Sequence, residues 1–273
     1  LIGEMTTAYT QGMAGDHPIY RRVIPTLKHF CANNNEKERI NCSSNVTPRT
    51  LREYYYRAFE ASIVRGGTGS MMTAYNELSG VPACMNPDLK TLVKKQWGLE
   101  FIVTDGADFS QNVLAHHSHA THAEALAACL KNGNDVMTDE ADMVAAAARD
   151  ALDRGLLTEA DIDRAVGNSL SGRFRLGEFD GDSCPYNTEP AETDTLLHRA
   201  VNRCAAMEQM CLLHNRGILP LQLQPDARVA VIGPLGNENY RDWYTGVSSY
   251  AVPILEGLRQ QLGAKNVLFD DGY

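Results

Sequence analysis

Asp105 closes a short apolar run, Phe101-Ile-Val-Thr-Asp-Gly106, and a Trp97-Gly98 pair sits just ahead of it. Apolar runs of this length that end in an acid and a glycine read as buried parallel strands. In a barrel of such strands the carboxyl ends point into the active site, so a carboxylate there is placed to be the reacting group. The competing role for Asp105 is to cap the next helix, because an Asp side chain accepts the first free amides of a helix equally well. Three more strand ends carry polar groups: Lys28-His29, Tyr75-Asn76 and Asp135. One polar strand end is ordinary. Four in succession outline the rim of a site.

The elements that must carry these residues alternate. Residues 4–13 form a short helix stopped at Gly15, and Arg22 to Phe30 reads as a strand. After the polar loop Asn33 to Arg39, Thr47 supplies an N-cap and Pro48 the first helical position of a helix running to about Arg65. Gly69 to Asn76 is the second strand, Pro87 to Gln96 the next helix, and the Asp105 strand follows. A capping box, Thr121-x-x-Glu124, opens a helix over Ala125–Lys131. Asn134-Asp-Val-Met137 is a fourth strand, and helices over about 140–154 and 158–172 follow it. Four βα units imply a parallel sheet or barrel. A complete (β/α)8 barrel takes roughly 250 residues, so the fold class expected is α/β, with the C-terminal half of a TIM-type (β/α)8 barrel over 1–178 and a front that looks truncated. An acidic, Pro- and Gly-containing stretch over 179–198 reads as a linker. Beyond it, over 199–273, a helix (about 196–213), a buried strand Arg228–Gly233, a helix (253–262) and a strand Val267–Phe269 begin a second α/β domain that stops in mid-pattern.

Composition narrows the partners. A chain of 273 residues, 44% apolar, can bury one large core or two smaller ones, and its formal charge of −9 argues against nucleic acid and anionic membranes. The chain has no apolar run of about 18 residues, the length that spans a bilayer. Seven scattered cysteines without CxxC spacing suggest reduced thiols, and the compartment leans towards the cytoplasm on that ground alone. Homo-oligomerisation is left open.

Taken together, the motifs resemble family 3 glycoside hydrolases, the β-glucosidases and β-xylosidases. The resemblance is carried by Lys28-His29-Phe30, the Asn-Asn-x-Glu-x-x-Arg loop, Leu51-Arg-Glu-Tyr54 with Phe59, Met71-Met-Thr-Ala-Tyr-Asn76, Trp97-Gly98 and Val103-Thr-Asp105. It continues through Arg175-Leu-Gly-Glu-Phe179, Leu212-Leu-His-Asn215, Leu219-Pro-Leu221 and Val229-Ala-Val-Ile-Gly-Pro234, in order along nearly the whole chain. It implies a barrel followed by an α/β sandwich domain, and a retaining exo-β-glycosidase acting on terminal β-D-glucosyl residues of oligosaccharides. Asp105 would be the nucleophile, Lys28 and His29 would bind sugar hydroxyls, and Met72 and Tyr75 would line the pocket. Glu36 and Arg39 would form a structural ion pair. The resemblance implies no cofactor. The second carboxyl would come from the second domain downstream; among the acids present, Glu238 and Asp242 share its long loop without being singled out. Lys28, more than a neutral His29, is expected to keep Asp105 ionised.

Two departures bear on substrate. The residue after the nucleophile is often Trp in this family and is Gly106 here, which opens the pocket and leaves glucose against xylose undecided. The Pro-Gly-His-Gly loop of the N-acetylglucosaminidase branch is replaced by Cys31-Ala-Asn-Asn, which sets that activity aside. The class alternatives are a β-xylosidase and a catalytically incomplete carbohydrate-binding segment.

Other motifs carry less. His116, His119 and His122 fall at i, i+3, i+6, drift around a helix and include no carboxylate, so no metal is expected. Gly233-Pro-Leu-Gly236 mimics part of a dinucleotide loop, but Pro234 removes an amide that would cradle phosphate.

Overall fold

A computed structural model describes residues 1–187 and 193–273 and divides the chain into two compact units, Leu1–Asn187 and Thr188–Tyr273. The first begins with α1 (Ile2–Ala14), β1 (Thr26–Phe30) and β2 (Ser43–Ser44). Thr47 accepts the Thr50 amide at 3.2 Å and opens α2 (Pro48–Thr50). That helix passes through a π-helical segment, Leu51–Tyr55, into α3 (Tyr56–Arg65). Next come β3 (Ser70–Thr73), β4 (Glu77–Leu78), β5 (Val81–Pro82), a π-helical segment Leu89–Lys94, and β6 (Phe101–Val103). Helices α4 (Asp108–Leu114), α5 (His122–Lys131), α6 (Ala141–Asp153) and α7 (Glu159–Arg175) complete the unit.

Strands β1, β3 and β6 form a parallel sheet in that order, extended by one parallel bridge from Val103 to Val136. The expected fourth strand is therefore reduced to a single bridge. One face of the sheet buries Met71 and Ile102, which pair in register and join Phe30, Tyr56, Leu89, Leu92 and Val93 in a core. Phe30 stacks on Tyr56 with ring centres 5.0 Å apart. Each such side chain contributes about 1.5–3 kcal/mol by leaving water. A second core gathers the alanines of α5 and α6 around Phe109, Leu126 and Leu130. The expected capping box forms, with Thr121 and Glu124 exchanging hydrogen bonds at the start of α5, and a second one, Thr158 with Asp161, opens α7.

A small sheet, β2–β4–β5, sits at the carboxyl ends of the parallel strands. Asn76 holds it there: its buried Nδ2 donates to Cys31 O at 3.3 Å, Ser44 Oγ at 3.2 Å and Glu77 O at 3.0 Å. Asn76, read from the sequence as part of the rim, is thus a structural knot. The acidic stretch read as a linker packs onto the first unit as far as Asn187: Cys184 is buried, and Tyr186 accepts the His17 amide at 3.1 Å and lies 5.1 Å beneath the Arg22 guanidinium. Residues 188–192 of that stretch lie outside the described residues.

The second unit contains α8 (Leu196–Glu208), β7 (Val229–Ile232), α9 (Ile254–Leu262) and β8 (Val267–Asp270). β7 and β8 pair in parallel, and Val231, Leu255 and Val267 form a small core with Leu258 and Leu262. Helix α8 ends five residues before the sequence-based boundary at 213. Among the described residues no helix is long and apolar enough to cross a membrane.

Candidate active site

Asp105 follows β6 by two residues, and its backbone is clamped by the neighbouring segment. Thr104 N–H donates to Val136 O at 3.0 Å, Thr138 Oγ1 donates to Asp105 O at 2.7 Å, and Ala107 N–H donates to Thr138 O at 2.9 Å. The chain then turns through a left-handed residue, Ala107 at φ 61°, into α4. The first free amides of α4 are taken by Asp139, whose carboxylate accepts Phe109 N–H at 3.2 Å and Ser110 N–H at 3.1 Å. Asp105 is relieved of capping. Its Oδ1 accepts the Gly106 amide at 2.7 Å and its Oδ2 lies 3.3 Å from His29 Nε2, with the side chain 17% exposed.

A regular strand would send Lys28 and His29 to opposite faces. Between the pairs Leu27↔Met71 and Phe30↔Thr73, however, β1 has two residues where β3 has one, so Lys28 and His29 together oppose Met72. This bulge re-aims the pair. Both residues line a cavity of about 1080 Å³ that also meets Ala32, Asn33, Tyr55 and Phe59. Asp105 is not part of that cavity wall; His29 is the residue common to both. Burial holds the His29 imidazole below its ordinary pKa; Asp105 pulls the other way and Lys28 and Arg39 reinforce the lowering. The lowering favours a neutral imidazole at neutral pH, with Nε2 3.3 Å from the Asp105 carboxylate. His29 thus stands directly beside the carboxylate, with Lys28 next to it in the bulge.

Met72 is half-buried and pairs with Val103. Its neighbour Met71 is fully buried on the other face, the division of roles that strand alternation requires. Tyr75, two residues past β3, donates its phenol to Gly106 O at 2.7 Å. Arg39 lies 3.2 Å from Glu36, the ion pair expected of this loop, and its guanidinium sits 5.0 Å over the Tyr75 ring.

Asp135 does not belong to this group. It precedes the bridge at Val136, its side chain is fully buried, it pairs with Lys94, and it accepts the Ile102 amide at 2.9 Å and Asn168 Nδ2 at 2.9 Å. The acid at the carboxyl end of that segment is Asp139. Asp108 went unnoticed in the sequence, where an acid in the first turn of a helix reads as surface. It is fully buried, and burial pushes its carboxyl up to about 8 against the opposing hydrogen bond from Thr73, with Asp105 and Asp139 adding to the rise. Thr73 Oγ1 donates to it at 3.0 Å. Mostly protonated at neutral pH, Asp108 spares Asp105 a second negative charge nearby.

The histidines have separate partners: His117 Nδ1 meets Val113 O at 2.9 Å, His119 Nδ1 meets Ser118 Oγ at 3.2 Å, and His116 bonds Tyr75 O at 2.9 Å. Among the described residues no three His, Cys, Asp or Glu side chains gather as metal ligands would. In the second unit, Asp242 is held below the usual carboxylate range by hydrogen bonds from Thr245 and the Tyr244 amide. That is the wrong direction for a proton donor.

A parallel α/β unit with acid, histidine and tyrosine at its strand ends has solved counterparts. A family 3 exo-β-xylosidase in complex with a xylobiose aziridine activity-based probe superposes with a TM-score of 0.87 at 27% identity, covering 98% of this chain and 36% of that one. A β-glucosidase from Erythrobacter marinus gives 0.84 at 26%, covering 97% and 36%. Among curated relatives, β-D-xylosidase 1 of Arabidopsis thaliana is 34% identical over 86% of this chain and 31% of its own length. The β-xylosidase of Formosa agariphila is 30% identical over 96% and 39%. The glycosyl hydrolase family 3 N-terminal domain model matches residues 1–171. The chain belongs to glycosyl hydrolase family 3. It spans about a third of the length of these relatives.

Proposed function

We propose that this protein carries the nucleophile of a retaining exo-β-glycosidase, with Asp105 forming a covalent glycosyl ester. The observation that supports this most is the release of Asp105 from capping by Asp139, with His29 Nε2 3.3 Å from its Oδ2. In this reading residues 1–178 are the C-terminal half of a (β/α)8 barrel and 199–273 the start of an α/β sandwich domain, joined through 179–198, whose part up to Asn187 packs on the first unit. Asp105 attacks the anomeric carbon; a C–O bond to Oδ forms as the glycosidic C–O bond breaks. A second carboxyl, about 5–5.5 Å away in retaining enzymes, protonates the leaving oxygen and later deprotonates the attacking water. Lys28 and His29 hold hydroxyls of the terminal sugar, and Met72 and Tyr75 wall it in.

The family resemblance points to terminal β-D-glucosyl residues of oligosaccharides. A β-xylosyl glycone is favoured by a separate observation: the curated relatives cited above are both named xylosidases. The two sugars differ by a hydroxymethyl group, which a pocket distinguishes by about 1–3 kcal/mol. Comparing kcat/KM for aryl β-xyloside and aryl β-glucoside decides between them: a ratio beyond about tenfold either way assigns the glycone. Binding of both sugars with no turnover of either supports the carbohydrate-binding alternative and removes the enzymatic reading.

A further inference from the structure

We infer that His116 is a positioning residue that clamps the Tyr75 loop, so that the Tyr75 phenol holds the Gly106 backbone in place beside Asp105. The inference deepens the reading of Asp105 as nucleophile and rests on it.

His116 lies just beyond α4, and its side chain is only 2% exposed. Nε2 is 2.9 Å from Tyr75 O and Nδ1 is 3.4 Å from Glu77 Oε1. A carbonyl oxygen only accepts, so Nε2 carries hydrogen and donates to it. The Glu77 carboxylate beside Nδ1 backs the ring from its other side. The Glu77 end of this clamp is fixed: its backbone pairs with Ser43 and Pro82 in the small sheet, and its N–H donates to Cys42 O at 2.9 Å.

Tyr75 is thereby held at two points. His116 holds its main chain, and its phenol donates to Gly106 O at 2.7 Å. Gly106 in turn donates its N–H to Asp105 Oδ1 at 2.7 Å, which sets the carboxylate rotamer and leaves Oδ2 to His29. Since α4 continues directly from the nucleophile turn, the chain from Asp105 through α4 to His116 and back through Tyr75 and Gly106 is a closed loop. Removing the imidazole opens it at one bond. A misplacement of about 1 Å at a reacting group costs on the order of 100-fold in rate, so the effect belongs to the covalent step and not to sugar affinity.

The test is the rate of covalent labelling of the full-length protein by a 2-deoxy-2-fluoro glycosyl donor with an activated leaving group, with the adduct located by peptide mass. In His116→Ala the maximal labelling rate is expected to fall about 10- to 100-fold, while the half-saturating donor concentration moves less than about threefold. His116→Gln, which keeps an N–H near the position of Nε2, is expected to recover most of that loss. Tyr75→Phe breaks the same chain one bond later, so combining it with His116→Ala is expected to add less than about twofold to the larger single effect. Labelling of His116→Ala at the wild-type rate, or a double variant whose losses multiply, overturns the inference while leaving Asp105 as nucleophile. If His116→Ala does not fold, His116→Asn, whose shorter amide cannot reach Tyr75 O, is compared with His116→Gln, and equal rates overturn it. Failure to label wild type at Asp105 removes the nucleophile reading, and this inference falls with it.

Discussion

Asp108→Asn should change how stability depends on pH, in a direction the geometry fixes. Asp108 is fully buried, and burial raises its carboxyl from 3.8 to about 8. The folded protein therefore keeps this proton over a range where the unfolded chain has released it. A group of this kind contributes most stability below the unfolded value, and loses it progressively as pH rises towards the folded value. Each pH unit in that window is about 1.4 kcal/mol. Asn has nearly the same shape, still accepts from Thr73, and does not titrate. Between pH 5 and pH 7.5 the stability of Asp108→Asn relative to wild type should therefore rise by about 3 kcal/mol. Urea unfolding followed by tryptophan fluorescence reads this out. Trp97 packs against the first unit's core, whereas Trp243 is 99% exposed and changes little on unfolding. Taking the difference between variant and wild type at each pH cancels every other titration. A difference that stays constant within about 1 kcal/mol, or that shrinks with pH, refutes a buried, protonated Asp108.

Lys28→Ala should slow glycosylation by losing a sugar hydroxyl contact, and an unchanged kcat/KM removes Lys28 from the site. The His29 imidazole should titrate below 6.5 in an NMR experiment on its ring protons, because burial lowers it. Its contribution to stability is complete above 6.5 and is lost as pH falls through the lowered value; a midpoint at or above 7 contradicts this. Thr121→Ala removes one half of the capping box at α5 and should cost about 1 kcal/mol in a denaturation experiment, with no change in labelling at Asp105.

Much of the frame was legible because its signals are local. The run from Phe101 to Val103 becomes β6, Thr47-Pro48 opens a helix, and Thr121 and Glu124 make their capping box. What was hidden depends on contacts between distant residues. Strand parity separates Lys28 from His29, and only the register against β3 reveals the bulge that unites them. Asp139 takes the strand-end place expected of Asp135 because the fourth strand shrinks to one bridge, which moves its carboxyl end past Thr138. Whether Asp105 caps α4 turned on Asp139, more than 30 residues away in sequence and unmarked by any motif. The burial of Asp108 beneath Thr73 likewise has no sequence signal, and His116 was one of three spaced histidines set aside as a metal site. The packing of Cys184 and Tyr186 onto the first unit lay in a stretch with no hydrophobic periodicity.

The most direct test of the nucleophile is trapping. The full-length protein is treated with 2-deoxy-2-fluoro xylosyl and glucosyl donors bearing activated leaving groups, digested, and its peptides weighed. Such donors need little acid assistance, so the experiment isolates the attack itself. One glycosyl adduct on the peptide carrying Asp105, absent in Asp105→Ala, is the expected result. An adduct on another carboxylate, or a well-folded protein that binds the sugars and takes no label, contradicts it.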